Sequence, residues 1–381
     1  MKKLIRITTV PSSLRTLLKG QHRFMNQHYK VIGISSSGKE LEEVKNDEGI
    51  ETYIVEMTRS ITLIKDLKAA YKLYKFFKKE KPFIVHTHTP KAGTVGMLAA
   101  KLAGVPHRLH TIAGLPLLEA RGAKRKLLDT VETFTYACAT QILPNSYGLE
   151  SIILQNKYTN PSKLKVIGKG SSNGIDVAHY DSKLVSEQTK TDLKKELHIS
   201  DTDVVFIFIG RMVKDKGLNE LVSAFDKLSK SNKNYKLILV GPHENHLDPL
   251  LPETEKLIEH NKQILAVGMQ KDIRPYVAIS HVLTFPSYRE GFPNVVLQAS
   301  CMNLPCIVSD INGCNEIIEH NVNGLIIPVK SETAIQDAMQ FMIDNPDKRT
   351  EMANQSRVRI VERYQQEYIW NKLLKLYKSL E

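Results

Sequence analysis

Nowhere in the 381 residues does an uninterrupted apolar run approach the roughly 20 residues that cross a bilayer. The longest run, 204–209, suits a buried strand. The opening MKKLIRITTV carries charge without an apolar h-region, so the expectation is a cytoplasmic chain. Cysteine is scarce: Cys138, Cys301, Cys306 and Cys314 show neither the close pairing of a zinc site nor the density of a disulfide framework. No low-complexity tract and no repeated sequence interrupts an ordinary globular composition, with 42% hydrophobic and 25% charged residues. The Gly-x-Gly-x-x-Gly fingerprint is missing after the first strand of either half, where the chain reads TTVPSSLRTLLKG and IGRMVKDKG. An NAD-type dehydrogenase is thereby disfavoured.

Short β-rich segments alternating with helical patterns are present instead, which is the signature of parallel sheets wound with helices, an α/β class. The first half predicts strands near 4–10, 30–35, 51–55, 83–87, 108–112, 141–143 and 164–167. A polar stretch at 182–195 interrupts the series, and a second begins at 204–209, continuing near 236–240, 264–266, 281–285, 306–309 and 325–327. Two facing Rossmann-like domains are expected, at 1–180 and 181–362. The helical segment at 363–381 is expected to pack back on the first.

Charge is uneven. Residues 1–175 hold 28 Lys and Arg against 13 Asp and Glu, leaving 25 against 28 in the remainder. The basic half points to a polyanion or an anionic membrane surface. Between Arg59 and Lys81, Lys65, Lys68, Lys72, Lys75 and Lys79 recur at helical spacing beside an apolar row of Ile64, Leu67, Tyr71 and Tyr74. A second cluster follows at Arg121, Lys124, Arg125 and Lys126. Solvated lysines on a surface helix and a membrane-facing patch both fit this pattern. Nucleic acid is disfavoured, because zinc-finger spacing, an RNA-binding aromatic signature and a basic tail are all lacking.

Two further segments follow predicted strands, at the sheet edge where doubly wound folds bind ligands. In Gly210-Arg211-Met212-Val213-Lys214-Asp215-Lys216-Gly217, Arg211 and Lys216 bring two cations to that edge, a diphosphate clamp in outline or else a solvated loop. In the segment from Ser287 to Ala299, Pro293 suits the first helical position. The next amides, Asn294 and Val295, would then face an anion, with Glu290 just ahead as an acceptor for ligand hydroxyls.

GRMVKDKG followed by PSYREGFPNVVLQA resembles the donor-binding half of glycosyltransferase family 4, retaining enzymes of the GT-B fold. VIGKGSSNGID and PCIVSDINGCNEII extend the resemblance over nearly the whole chain. It implies a nucleotide-diphosphate sugar held between two domains, with Arg211 and Lys216 on the diphosphate and Glu290 on sugar hydroxyls. Gly210, Gly291, Phe292, Asn294 and Val295 complete the implied donor site. The family usually carries a second glutamate where this chain has Gln298, whose carbonyl still accepts from ribose without the charge. His110 matches the histidine that the family places beside the donor sugar; a core histidine bonded to backbone is the other reading.

His86, His88 and Lys91 in Val-His-Thr-His-Thr-Pro-Lys end another strand and are expected to face the interdomain cleft as an acceptor-phosphate site, with Ser12 and Ser13. A metal on the two histidines lacks further ligands. The only Asp-x-Asp, Asp201-Thr202-Asp203, precedes its strand and reads as a turn. Transfer without a metal or other cofactor is therefore expected, Arg211, Lys216 and helix amides replacing the cation. The resemblance implies transfer of a hexosyl or N-acetylhexosaminyl group, from UDP-sugar, to a polyprenyl-diphosphate-linked saccharide. The location implied is the inner face of the plasma membrane, in capsule, lipopolysaccharide or other glycan biosynthesis. A nucleotide-sugar epimerase or hydrolase, and a non-catalytic sugar-nucleotide-binding assembly subunit, are the alternatives.

Overall fold

The computed structural model describes residues 1–58, 60, 62–244 and 248–381. The chain forms two compact units, Met1–Gly174 with Gln366–Glu381, and Ile175–Gln365. The units change at 174/175 and at 365/366, against the expected boundaries at 180 and 362.

The first unit holds six strands: β1 (Lys3–Ile7), β2 (Lys30–Ser35), β3 (Glu51–Ile54), β4 (Ile84–Thr87), β5 (His107–Ile112) and β6 (Gln141–Pro144). All pair in parallel, in the order β3-β2-β1-β4-β5-β6. The second unit repeats that order with β7 (Val204–Ile209), β8 (Tyr235–Val240), β9 (Ile264–Gly268), β10 (Val282–Phe285), β11 (Cys306–Ser309) and β12 (Gly324–Ile327). Its sheet runs β12-β11-β10-β7-β8-β9 and is parallel throughout. In each sheet the winding reverses between the first and fourth strands. A doubly wound sheet opens its ligand crevice at that reversal, outside the carboxyl ends of the strands.

Strand alternation sorts the first unit's core into two layers. Ile5, Ile7, Ile32, Ile34 and Val85 face the helices Leu63–Glu80, Pro90–Ala103 and Gly122–Cys138. Leu4, Val31, Ile84 and Leu109 face the other way, onto Leu14, Leu18, Leu41 and the last helix, Gln366–Lys378. That helix buries Ile369, Leu373, Leu374, Leu376 and Tyr377 there. The terminal segment is broken at Gln365, where ψ of 144° separates Pro346–Tyr364 from Gln366–Lys378.

The expected strand at 164–167 does not form. Only Leu164 bridges, to Ile142, before Gly168 turns at φ +60°. The polar stretch at 182–195 is largely the helix Glu187–Glu196, held at its start by the Ser186 side chain accepting from the Thr189 amide.

Candidate active site

At the reversal of the second sheet, the segments after β7 and β10 approach each other most closely at a glycine. Gly217 sits at φ +71°, and a Cβ there would stand 2.1 Å from the carbonyl oxygen of Pro286. The turn Lys214–Lys216 is thus laid against residues 286–290. Lys216 Nζ pairs with Glu290 Oε1, which also accepts from Ser287 Oγ at 2.9 Å. Both partners are mostly buried, with side chains 14% and 17% exposed. Arg289 pairs with Asp215 at 2.7 Å, and the Tyr288 amide donates to the Asp215 carbonyl, tying the two segments a second time.

A third segment closes over the same backbone. Asn312 Nδ2 donates to the carbonyl oxygens of Glu290 and Gly291. Gly313, at φ +78°, lets the chain pass where a Cβ would meet the Gly291 oxygen at 2.5 Å. PCIVSDINGCNEII therefore braces the Glu290 loop from outside.

The helix Asn294–Cys301 starts one residue later than expected, with Pro293 as its N-cap at ψ 110°. Its first intrahelical bonds run from Val296 and Leu297 to the Pro293 carbonyl, so the amides of Asn294 and Val295 precede them. Asn294 is exposed and Val295 half-buried. Phe292 turns inward, its ring centroid 5.3 Å from that of Tyr364. Gln298 donates through Nε2 to the Tyr180 hydroxyl at 2.8 Å, which leaves its carbonyl oxygen as the acceptor. Arg211, beyond Gly210, is 43% exposed and pairs with Glu244 at 2.8 Å.

In the first unit, His110 near the end of β5 is buried. Its Nδ1 lies 2.7 Å from Thr87 Oγ1, and Gly93 leaves room for the ring. Burial holds its imidazole down at about 4, so it is neutral at neutral pH.

His86 and His88 do not face outward as expected. Both are buried beneath the terminal helix, ring centroids 4.0 Å apart. His86 bonds to the Tyr377 hydroxyl at 2.5 Å and to Thr111 Oγ1 at 2.8 Å. The His88 Nε2 accepts from Arg6 Nε at 3.3 Å. Burial holds both imidazoles well below their ordinary range, with the cationic Arg6 adding to the effect. Arg6 is itself fully buried and donates to the Gln21 carbonyl oxygen. An arginine inside the apolar strand KLIRI was the available signal for this polar cluster. Lys91 pairs with Asp66. Ser12 and Ser13 lie half-buried in the first turn of the helix Pro11–Leu17.

Asp201-Thr202-Asp203 precedes β7 in a turn, Asp203 accepting from the Ser200 amide at 2.9 Å. Among the described residues, no group of three or more His, Cys, Asp or Glu could hold a metal ion, and no helix is long and apolar enough to cross a membrane. Lys65, Lys68, Lys72, Lys75 and Lys79 are all exposed. So are Ile64, Leu67 and Tyr71, because the helix Leu63–Glu80 buries Ala69, Ala70, Leu73 and Phe77 instead. Arg59, at the start of that basic stretch, lies outside the described residues.

Residues 189–359 match the family Glycosyl transferases group 1, and residues 14–146 match Glycosyl transferase 4-like. A capsular polysaccharide biosynthesis glycosyltransferase, CapM of Staphylococcus aureus, is 31% identical over 99% of this chain and 97% of its own. The chain belongs to the group 1, family 4-like glycosyltransferases. Its relative in Escherichia coli, UDP-Gal:alpha-D-GlcNAc-diphosphoundecaprenol alpha-1,3-galactosyltransferase, is 30% identical over 84% of this chain and 81% of its own. The solved structure of Anabaena HepE in complex with UDP and glucose superposes with a TM-score of 0.82 at 16% identity, all of both chains being covered. This glycosyltransferase therefore has the GT-B fold, and the Lys216–Glu290 pair lies in its group 1 portion.

Proposed function

We propose that this glycosyltransferase moves a hexosyl or N-acetylhexosaminyl group from a UDP-sugar to a polyprenyl-diphosphate-linked saccharide, with retention at the anomeric carbon and without a metal. The observation that carries the reading is the Lys216–Glu290 pair, braced by Ser287 at the crevice between β7 and β10. The named activity of the Escherichia coli relative supports the nucleotide and the acceptor class.

In this reading Lys216, with Arg211 swinging from Glu244, takes the charge that grows on the departing diphosphate. The amides of Asn294 and Val295 supplement it. Glu290 then accepts from a sugar hydroxyl, fixing the ring as the anomeric carbon becomes cationic. The Gln298 carbonyl oxygen accepts from the ribose, its amide being held by Tyr180. The acceptor hydroxyl attacks the face from which the diphosphate leaves, and a departing phosphate oxygen receives its proton. His110, neutral and fixed by Thr87, serves as a positioning residue.

The experiment is transfer from labelled UDP-sugars to a synthetic prenyl-diphosphate saccharide, with chelator present and the product anomer read by NMR. Inversion, or loss of activity in chelator, overturns the mechanism. Release of free sugar without acceptor marks a hydrolase.

A further inference from the structure

Gln298 stands on the helix Asn294–Cys301 where the resemblance places a glutamate, and its Nε2 donates to the Tyr180 hydroxyl at 2.8 Å. A carboxylate accepts through either oxygen, whereas an amide accepts at one end and donates at the other. A glutamine at this position therefore adds a requirement: something has to fix which end of the amide meets a ligand.

The surroundings of Tyr180 meet that requirement. Residues 176–180 form a tight turn in which Asp176 Oδ1 accepts from the amides of Ala178 and His179 at 3.1 and 2.9 Å. The Tyr180 amide donates to the Asp176 carbonyl at 3.0 Å. Arg357, on the helix Pro346–Tyr364, fastens this turn to the helix that carries Gln298. Its guanidinium donates to the carbonyls of Val177 at 2.9 Å and Tyr180 at 2.7 Å, and to the Asp181 carboxylate at 3.1 Å. It also donates to the carbonyl of Cys301, the last residue of the Gln298 helix. The half-buried Tyr180 side chain packs against the core of the second unit. Burial raises the ionisation of its phenol, with the Asp272 carboxylate adding to the effect, so the hydroxyl stays neutral.

We propose that Tyr180 is a positioning residue for the nucleotide: by holding the amide nitrogen of Gln298 it keeps the carbonyl oxygen as the acceptor offered to a ribose hydroxyl, so that the ribose is read without a carboxylate. The proposal rests on the donor reading above and deepens it, because selectivity for ribose over deoxyribose is assigned to a side chain 118 residues from the amide it orients. An amide left free has to be ordered when the nucleotide arrives, and ordering one such side chain weakens binding by roughly two- to tenfold.

The test is calorimetric binding of UDP and of 2′,3′-dideoxy-UDP to the whole chain and to its variants. The unaltered protein should prefer UDP by at least about fivefold, the worth of a hydrogen bond. Tyr180→Phe keeps the ring and removes only the hydroxyl. It should at least halve that preference by weakening UDP, and leave binding of the dideoxy compound unchanged. Adding Gln298→Glu to Tyr180→Phe should restore the preference, since a carboxylate accepts however it is turned. Equal binding of the two compounds by the unaltered protein overturns the proposal, as does an unchanged preference in Tyr180→Phe. Affinity lost alike for both compounds, or no recovery in the double variant, overturns it in favour of a packing role for the ring. The donor reading fails differently: no binding of UDP by the unaltered protein removes that reading and this one with it, whereas UDP that binds without the pattern above removes only the role of Tyr180.

Discussion

Gly93 and His110 share one small volume: a Cβ on Gly93 would stand 2.4 Å from the imidazole Cε1. The glycine lies within the helix Pro90–Ala103, so its value is space rather than an unusual backbone angle. Gly93→Ala must push the ring off Thr87 or shift the helix, an overpacking that costs about 1–3 kcal/mol. The expected result is a melting temperature lowered by several degrees together with a reduced kcat. Unaltered values of both would show that the ring has room to move.

Lys216→Ala removes one partner of a mostly buried pair and leaves the Glu290 carboxylate beside Ser287 alone. Removal of one aimed transition-state donor typically costs about 10²–10³ in kcat. Lys72→Ala, on the exposed face of the basic helix, is expected to leave the rate with a soluble acceptor nearly unchanged. Comparable losses in the two variants would remove the clamp assignment.

Gly217→Ala tests the join between the two segments proposed to hold the donor. With 2.1 Å between a new Cβ and the Pro286 oxygen, and φ at +71°, the turn has to move away from residues 286–290. UDP should then raise the melting temperature much less than it does for the unaltered protein. An undiminished UDP-induced shift would show that the join is not needed for nucleotide binding.

Stability should depend on pH below neutrality. His110 and His281 are each held at about 4 by burial, and His281 Nδ1 accepts from the Val205 amide, which requires a neutral ring. In the unfolded chain both return to about 6.5. The unfolded state therefore binds more protons between pH 6.5 and 4, and stability is lost as pH falls through that window. Urea midpoints measured from pH 7.5 to 4.5 should decrease steadily below about 6.5, and His281→Gln should shallow the slope.

The four thiols are buried, with burial pushing Cys301 up to about 11 and Cys306 up to about 12. A thiolate reagent should leave the native protein unlabelled and modify four cysteines after denaturation. Fast labelling of native protein would contradict the packing.

The strands of both sheets were legible because a parallel sheet covered on both faces reads as short continuous apolar runs. The run at 164–167 misleads because it has one rung to offer, Leu164 on Ile142, before Gly168 turns the chain away. Positions at strand ends, such as Arg211, Lys216 and Glu290, could be marked from the sequence. Their partners could not: Asp215 meets Arg289 and Tyr180 meets Gln298 only through the winding of the sheet. The sequence puts His86 and His88 on the open side because nothing near them announces that Tyr377, 291 residues beyond His86, bonds to that ring.

The helix Gln366–Lys378 supplies part of the core of the unit that begins the chain, and Tyr29 ties to Glu381 at 3.0 Å. A nascent first unit consequently lacks that share of the packing in the layer of Leu4, Leu14 and Leu109 until residues 366–378 have been made. Packing of the amino-terminal unit is thus completed only by a segment translated after the whole second unit, and a premature stop codon near residue 365 would injure the unit that begins the chain.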